Sequence, residues 1–323
     1  MNKKKWAPWI ALITLILAAG SWLVWVKIRS DRTAVTFFLV SDTHYGVSPT
    51  VADANQRTIK AMNTLPGTLF PDRLGGRVQE PSGIIVLGDI VDDGGGPVGE
   101  QSWEEFAKDY GVNGEGLAKF PVYEGFGNHD GGPEHPVRRG IAERNQNRPG
   151  VIKVSPDRLH YAWNWAGIHF VHLNLFPGSA GDDIINRWGK RFDGSWRYPQ
   201  HSLDFLAEDL EENEEKGGRP VVLFQHYGWD DWGNSWWSEP ERIAFHGAIK
   251  DHGIIGIFWG HTHEVQQIDW NGIPTWCVGS GQRDPEPGEF LVVEISAKEM
   301  KVAERKQTGW GSAWKIFYKR GSP

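Results

Sequence analysis

Cysteine is all but absent from this chain, whose 323 residues include only Cys277. One thiol excludes an intramolecular disulfide framework and a zinc site built from cysteines, and it says nothing about redox compartment. An excess of basic residues is missing too. With 34 Lys+Arg against 41 Asp+Glu, the formal charge is −7. Residues 1–32 carry six basic residues and one acid, so without them the counts become 28 and 40 and the charge −12. A domain that grips DNA or RNA needs a basic face, so no nucleic acid polymer is expected as a partner. Internal repeats and low-complexity linkers are also lacking, and the hydrophobic share of 39% is that of a globular chain.

Apolar runs long enough to cross a bilayer are limited to one. Trp6 to Val26 is 21 residues without a charge, placed between MNKKK and KIRSDR. As a helix it spans about 31 Å, close to the hydrocarbon thickness of a membrane. Trp6 and Trp9 near one end and Trp22 and Trp25 near the other stand where interfacial aromatics belong. The reading is a single-pass N-terminal transmembrane helix, with residues 1–32 as anchor. A cleaved signal peptide ending in LAAG before Ser21 is the alternative. Basic residues flank both sides equally, and the denser N-terminal cluster points to a periplasmic or extracytoplasmic position for residues 33–323, read as one domain.

Beyond the anchor, short apolar strands alternate with helices and then give way to hairpins, the pattern of an α/β domain. TAVTFFLVSD, SGIIVLGD, FPVYEGFGNHD, RPVVLFQH and GIIGIFWGHTH read as strands, and VADANQRTIKAMNTL and SLDFLAEDLEENEEKGG as helices. SWEEFAKDYG reads as a helix capped by Ser102, and the acidic run Glu208 to Glu215 as a solvated face. Hairpins are expected at Ala166–Gly167 and Asn271–Gly272.

Each of five strands ends in metal-binding residue types. They are Asp42 and His44 in SDTHYG, Asp89 in LGDIVDDG, Asn128 and His129 in FGNHD, His226 in LFQHYG, and His261 and His263 in GHTH. Singly these are turns, caps or core histidines. Together they fall where ligands of α/β sheets sit, beyond the strand carboxyl ends. His261 and His263, at i and i+2 on an extended backbone, would face one side.

In these motifs, D-x-H, G-D, G-N-H-D, H and G-H-x-H, the chain resembles the calcineurin-like metallophosphoesterase superfamily from about residue 34 to 265. The resemblance implies a two-sheet α/β/β/α sandwich holding two divalent transition-metal ions (Mn, Fe, Zn or Co). One ion would take Asp42, His44 and His263, and the other Asn128, His226 and His261, with Asp89 bridging them. His129 would act as general acid towards the leaving group, and Asp92 would orient it. Two anionic ligands against two divalent ions leave positive charge to attract a phosphate and to acidify a bridging water.

The implied protein is a membrane-tethered hydrolase that cleaves a phosphate mono- or diester of a small molecule or lipid headgroup by attack of a metal-bridging hydroxide. A phosphodiesterase or pyrophosphatase for lipid-linked or nucleotide substrates is one alternative, and a catalytically silent metal-binding module another. One departure stands out: Asp93 occupies the place where the protein serine/threonine phosphatases carry a phosphate-gripping arginine. Arg138 or Arg139 would replace that clamp, unless both are simply exposed. HYGWDDWGNSWWSEPER, after His226, reads as a loop whose tryptophans form either an aromatic wall beside the metals or part of the core.

Overall fold

The computed structural model describes residues 34–179, 194–230, 234, 236–283 and 286–318. The proposed anchor lies outside them. Among the described residues no helix is long and apolar enough to cross a membrane.

Strand β1 (Val35–Val40) sets the architecture, because all six of its side chains are buried. Alternate residues of a strand point to opposite faces. Phe37 meets Phe170, Phe224 and Phe258 of a second sheet at ring distances of 5.5, 6.2 and 6.3 Å. Phe38, on the other face, packs on Phe120 and Phe290. An unbroken apolar strand is therefore what a layer between a second sheet and covering helices requires.

Helix α1 (Pro49–Thr64), β2 (Ile84–Leu87), α2 (Gly96–Asp109), β3 (Val122–Gly125) and α3 (Pro136–Arg144) follow in order. Next come β4 (Val151–Val154), β5 (Tyr161–Trp165), β6 (Ile168–His172), α4 (Ser202–Glu215), β7 (Val221–Phe224), α5 (Glu239–Ile249) and β8 (Ile254–Trp259). The chain ends with β9 (Gln266–Trp270), β10 (Ile273–Cys277), the short pair β11 (Gln282–Arg283) and β12 (Glu286–Pro287), β13 (Phe290–Ile295), β14 (Glu299–Lys306) and β15 (Gly309–Phe317).

One sheet runs β15-β14-β13-β1-β2-β3 and the other β4-β5-β6-β7-β8-β10-β9. Both are mixed. Strands β1, β2 and β3 are parallel, as are β6, β7, β8 and β10, with antiparallel strands outside them. Two mixed sheets with helices agree with the α/β sandwich expected from the sequence. Beyond residue 265 the chain still belongs to this framework, since β13 pairs with β1.

The hairpins form at the expected turns, where Ala166 and Gly167 (φ 47° and 77°) and Asn271 and Gly272 (φ 52° and 80°) adopt the left-handed backbone of tight turns. Helix α2 is longer than expected. It starts at Gly96 with Gly95 as cap, so Ser102 lies inside it and its hydroxyl donates to the Val98 carbonyl at 2.8 Å. Nor is the acidic face of α4 wholly solvated. Asp209 is buried, 2.6 Å from Nε2 of His169.

Candidate metal centre

The carboxyl ends of β1, β2, β3, β7 and β8 deliver the candidate residues to one place. Asp42, His44 and His263 form one cluster, and Asp89, His226 and His261 another. His44 also joins Asp92 and His129 in a third. Within each, the ligand atoms lie within 4.8 Å of one another. Asn128 joins the second cluster, its Oδ1 lying 3.1 Å from Nε2 of His226.

The backbone here is unusual. Asp42, His44, Asp89, His261 and His263 all have left-handed φ, at 54°, 42°, 48°, 78° and 60°. Such conformations cost energy in non-glycine residues and persist only where the surroundings enforce them. The Asp42 amide donates to the Gly88 carbonyl at 3.0 Å and the His44 amide to the Asp89 carbonyl at 3.1 Å, stitching the two loops together beyond their strands. The extended backbone expected at His261 and His263 is not found. Their rings enter separate clusters, His261 with Asp89 and His226, His263 with Asp42 and His44.

Glycines clear the space. A Cβ on Gly127 would stand 2.3 Å from Oδ1 of Asp89 and 2.8 Å from Nε2 of His226. One on Gly260 would stand 1.9 Å from Oγ of Ser41 and 3.0 Å from Oδ2 of Asp42.

These residues fit a pair of cations. Nε2 of His44 lies 3.2 Å from Nε2 of His263, which is itself 3.3 Å from Oδ1 of Asp42. Nε2 of His261 is buried with no hydrogen-bond partner among the described residues, and Oδ1 of Asp42 has only the His263 contact. Native proteins rarely leave buried polar atoms so. Imidazole nitrogens and carboxylate oxygens converging in this way are a donor set for divalent transition metals. His226 is already oriented for it: Nδ1 donates to the Leu87 carbonyl at 2.8 Å, which turns Nε2 towards Asp89 Oδ2 at 3.2 Å. Without a cation, that contact governs the charges. Burial opposes ionisation of Asp89, but the neighbouring His226 overrides it and holds the carboxyl well below the usual range. Burial likewise opposes a charge on His226, and Asp89 draws it up to about 9.

His129 stands at the open side, with its backbone amide donating to Oδ1 of Asp89 at 2.8 Å. Its Nδ1 donates to the backbone carbonyl of Asp92 at 2.7 Å, while the Asp92 carboxylate is 3.9 Å away. Asp92 thus meets His129 mainly through its main chain, and its carboxylate lies nearer His44, at 3.4 Å from Nδ1.

Several supporting residues lie outside the ligand set expected from the sequence. Buried Asp130 accepts the amides of Val91 at 2.9 Å and Gly127 at 2.7 Å, tying the loops after β2 and β3. Burial, with Asp89 nearby, pushes its carboxyl up to about 6. Asn174 accepts the Phe126 amide through its side chain at 3.1 Å and the His226 amide through its carbonyl at 2.7 Å. Asp230 places a further carboxylate 3.9 Å from Nε2 of His261. Asn174 and Asp230 act through contacts far apart in the chain and no local spacing marks them, whereas Asp130 is the last residue of the G-N-H-D motif itself.

Arg138 is not an exposed clamp. It is buried, stacks 3.9 Å over the Phe126 ring, and donates to the carbonyls of Tyr198 (2.9 Å), Trp196 (2.8 Å) and Ser195 (3.3 Å). Arg139 is exposed and pairs with Glu100 at 2.9 Å. The tryptophans divide. Trp237 is fully buried, donates to the Pro177 carbonyl at 3.1 Å, and packs on Trp229 and Phe245, so it is core and not wall. Trp236 is half-buried, and Trp232 lies outside the described residues.

A family model described as calcineurin-like phosphoesterase matches residues 35–265. No curated protein matches the chain in sequence. Among solved structures, a dimetal phosphatase from Danio rerio aligns at 14% identity over 88% of this chain and 99% of its own, with a TM-score of 0.60. GAP50, the anchor in the inner membrane complex of Plasmodium, aligns at 13% identity over 90% of each chain, with a TM-score of 0.53. At such identities these likenesses concern the fold.

Proposed function

The chain belongs to the calcineurin-like phosphoesterase family, hydrolases acting on phosphoester bonds, and from that premise we propose a membrane-tethered phosphoesterase with a binuclear centre that cleaves a phosphate mono- or diester. The observation that carries the proposal is the pair of clusters at the strand ends, where Nε2 of His261, buried without a hydrogen-bond partner among the described residues, and Oδ1 of Asp42 converge with His44, His226 and His263. Asp42, His44 and His263 would hold one ion and Asn128, His226 and His261 the other, with Asp89 between. When bound, such ions supply positive charge for the phosphate and a nucleophilic water at neutral pH. The protein's own residues do the rest. Leu87 fixes the tautomer of His226 through its carbonyl. His129, with Nδ1 occupied by the Asp92 carbonyl, offers Nε2 to the leaving-group oxygen and gives it a proton.

The test is a substrate panel on Mn-reconstituted protein: p-nitrophenyl phosphate, its bis-ester, and nucleotide and lipid phosphates. Metal-dependent turnover is expected, and the best substrate names the class. No turnover of any would leave a metal-binding module instead. The tether rests on the uncharged run Trp6–Val26. Full-length protein should sediment with membranes and residues 33–323 should not. A soluble full-length product beginning at Ser21 would replace the anchor by a signal peptide.

A further inference from the structure

Asp42 and Asp89 are buried within the clusters, and the carboxylates of Asp92 and Asp230 stand beside them, 3.4 Å from His44 and 3.9 Å from His261. Beside these acids, a cation from the chain would add to the charge of any metal in holding a phosphate. Arg138 is spent on backbone carbonyls and Arg139 on Glu100. Arg197 is placed differently. It closes the short turn Gly194–Arg197, which lies against the loop after His129. Oγ of Ser195 would be 2.5 Å from a Cβ on Gly132, and the Trp196 ring is 5.3 Å from that of His135.

On the other side, the Arg197 guanidinium lies 4.0 Å from the centroid of Trp236, in the segment after His226. It also faces the hydroxyl of Tyr227, whose ring is 4.8 Å from that of His261. Nε of Arg197 is buried with no hydrogen-bond partner among the described residues. A guanidinium lying on an indole face keeps its charge and presents its donors at the edge, a pre-organised fork for phosphate. Arg138 holds the same turn through the carbonyls of Ser195 and Trp196 and the next residue through that of Tyr198, and its stacking on Phe126 ties that turn to the loop carrying Asn128.

We propose that Arg197 is the substrate's phosphate clamp, a guanidinium set between the His129 loop and the Tyr227–Trp236 segment that donates to a non-bridging phosphate oxygen. The proposal rests on the phosphoesterase reading above and adds a binding residue to it. No bond is made or broken at Arg197. Its contribution is to binding the phosphate in both the ground and the transition state.

The experiment compares parent, Arg197→Ala and Arg197→Lys, each reconstituted with Mn. Orthophosphate affinity is measured by titration calorimetry, KM and kcat on p-nitrophenyl phosphate, and metal content and melting temperature beside them. Loss of a charge-assisted contact should weaken orthophosphate binding and raise KM about tenfold to a hundredfold in Arg197→Ala. Arg197→Lys should recover part of it, with metal content and melting temperature as in the parent. Unchanged orthophosphate affinity overturns the proposal. A drop in melting temperature that Lys does not rescue overturns it too, leaving only a packing role on Trp236. A parent protein that binds orthophosphate but turns over no ester would sink the phosphoesterase reading while still deciding the role of Arg197.

Discussion

The carboxylate of Asp92 lies 3.4 Å from Nδ1 of His44. That contact holds the Asp92 carboxyl below the usual range. It also sets the acid beside Nδ1 of His44, while Nε2 faces His263 at 3.2 Å. Groups behind a metal-binding imidazole commonly tune affinity by about tenfold to a hundredfold. Asp92→Ala is therefore expected to weaken one of two metal sites by that order, measured by competition with a chelating dye. Unchanged metal affinity together with an altered leaving-group dependence would place the action of Asp92 on His129 instead.

Asp89 is proposed to serve both ions. Asp89→Asn should lose metal as well as activity, because it removes one of two anionic ligands while keeping the size of the side chain. Elemental analysis still giving two metals per chain would show that Asp89 does not bridge.

His129 should behave in the opposite way. His129→Ala should keep its metals and lose about 10²–10⁴ in rate on esters with poor leaving groups. A leaving group of low pKa needs little protonation, so p-nitrophenyl phosphate should suffer less. Equal losses across leaving groups would remove the general-acid role.

The two adjacent tryptophans should separate cleanly. Trp237→Ala opens a cavity among Phe176, Trp229 and Phe245 and should cost about 3–5 kcal/mol in urea unfolding. Trp236→Ala, at a half-buried position, should cost much less and raise KM through the lost support for Arg197. Similar stability for both variants would contradict the burial of Trp237.

Acid stability depends on two buried imidazoles away from the clusters. Burial pushes His172 down to about 3 and His160 down to about 4, against an ordinary value of 6.5. His172 donates from Nε2 to the Val86 carbonyl at 3.1 Å and accepts the Asn174 amide on Nδ1 at 3.1 Å, a neutral pattern. Above pH 6.5 neither ring is protonated in either state, so both are without effect. Below it the unfolded chain takes up protons that the folded chain refuses. Stability then falls by about 1.4 kcal/mol per pH unit for each ring, until the folded values are reached. In EDTA-treated protein this contribution adds to that of other shifted groups, Asp130 among them, and is read from unfolding free energies between pH 6.5 and 5 by comparison with a variant. His172→Gln should reduce it by one ring's share, and an unchanged slope would mean that His172 is protonated in the fold.

Much of this architecture was legible because strand ends carry both signals at once. IIVLGD and VVLFQH show a buried strand and then an isolated polar group, and the structure places Asp89 and His226 together. The hairpins were legible for a similar reason, since Asn271–Gly272 is turn chemistry on its own. What stayed hidden depends on contacts remote in sequence. The end of Arg138 lies among carbonyls of Ser195, Trp196 and Tyr198, and nothing beside it in the chain forecasts burial. Helix α3 and helix α5 begin in Pro- and Gly-rich stretches that read locally as loops. Asn174 carries no local mark, although it supports both Phe126 and His226.

Five proposed ligands stand on left-handed backbone that amides and carbonyls of the chain itself hold in place. On that backbone the pocket is a mould cast at folding, which ions would only fill. Chelation should silence the protein while leaving a cooperative melt, and returning metal should revive it without refolding. Such a mould would accept any divalent ion suited to imidazole and carboxylate donors, so the resident metal would depend on local supply as much as on the chain.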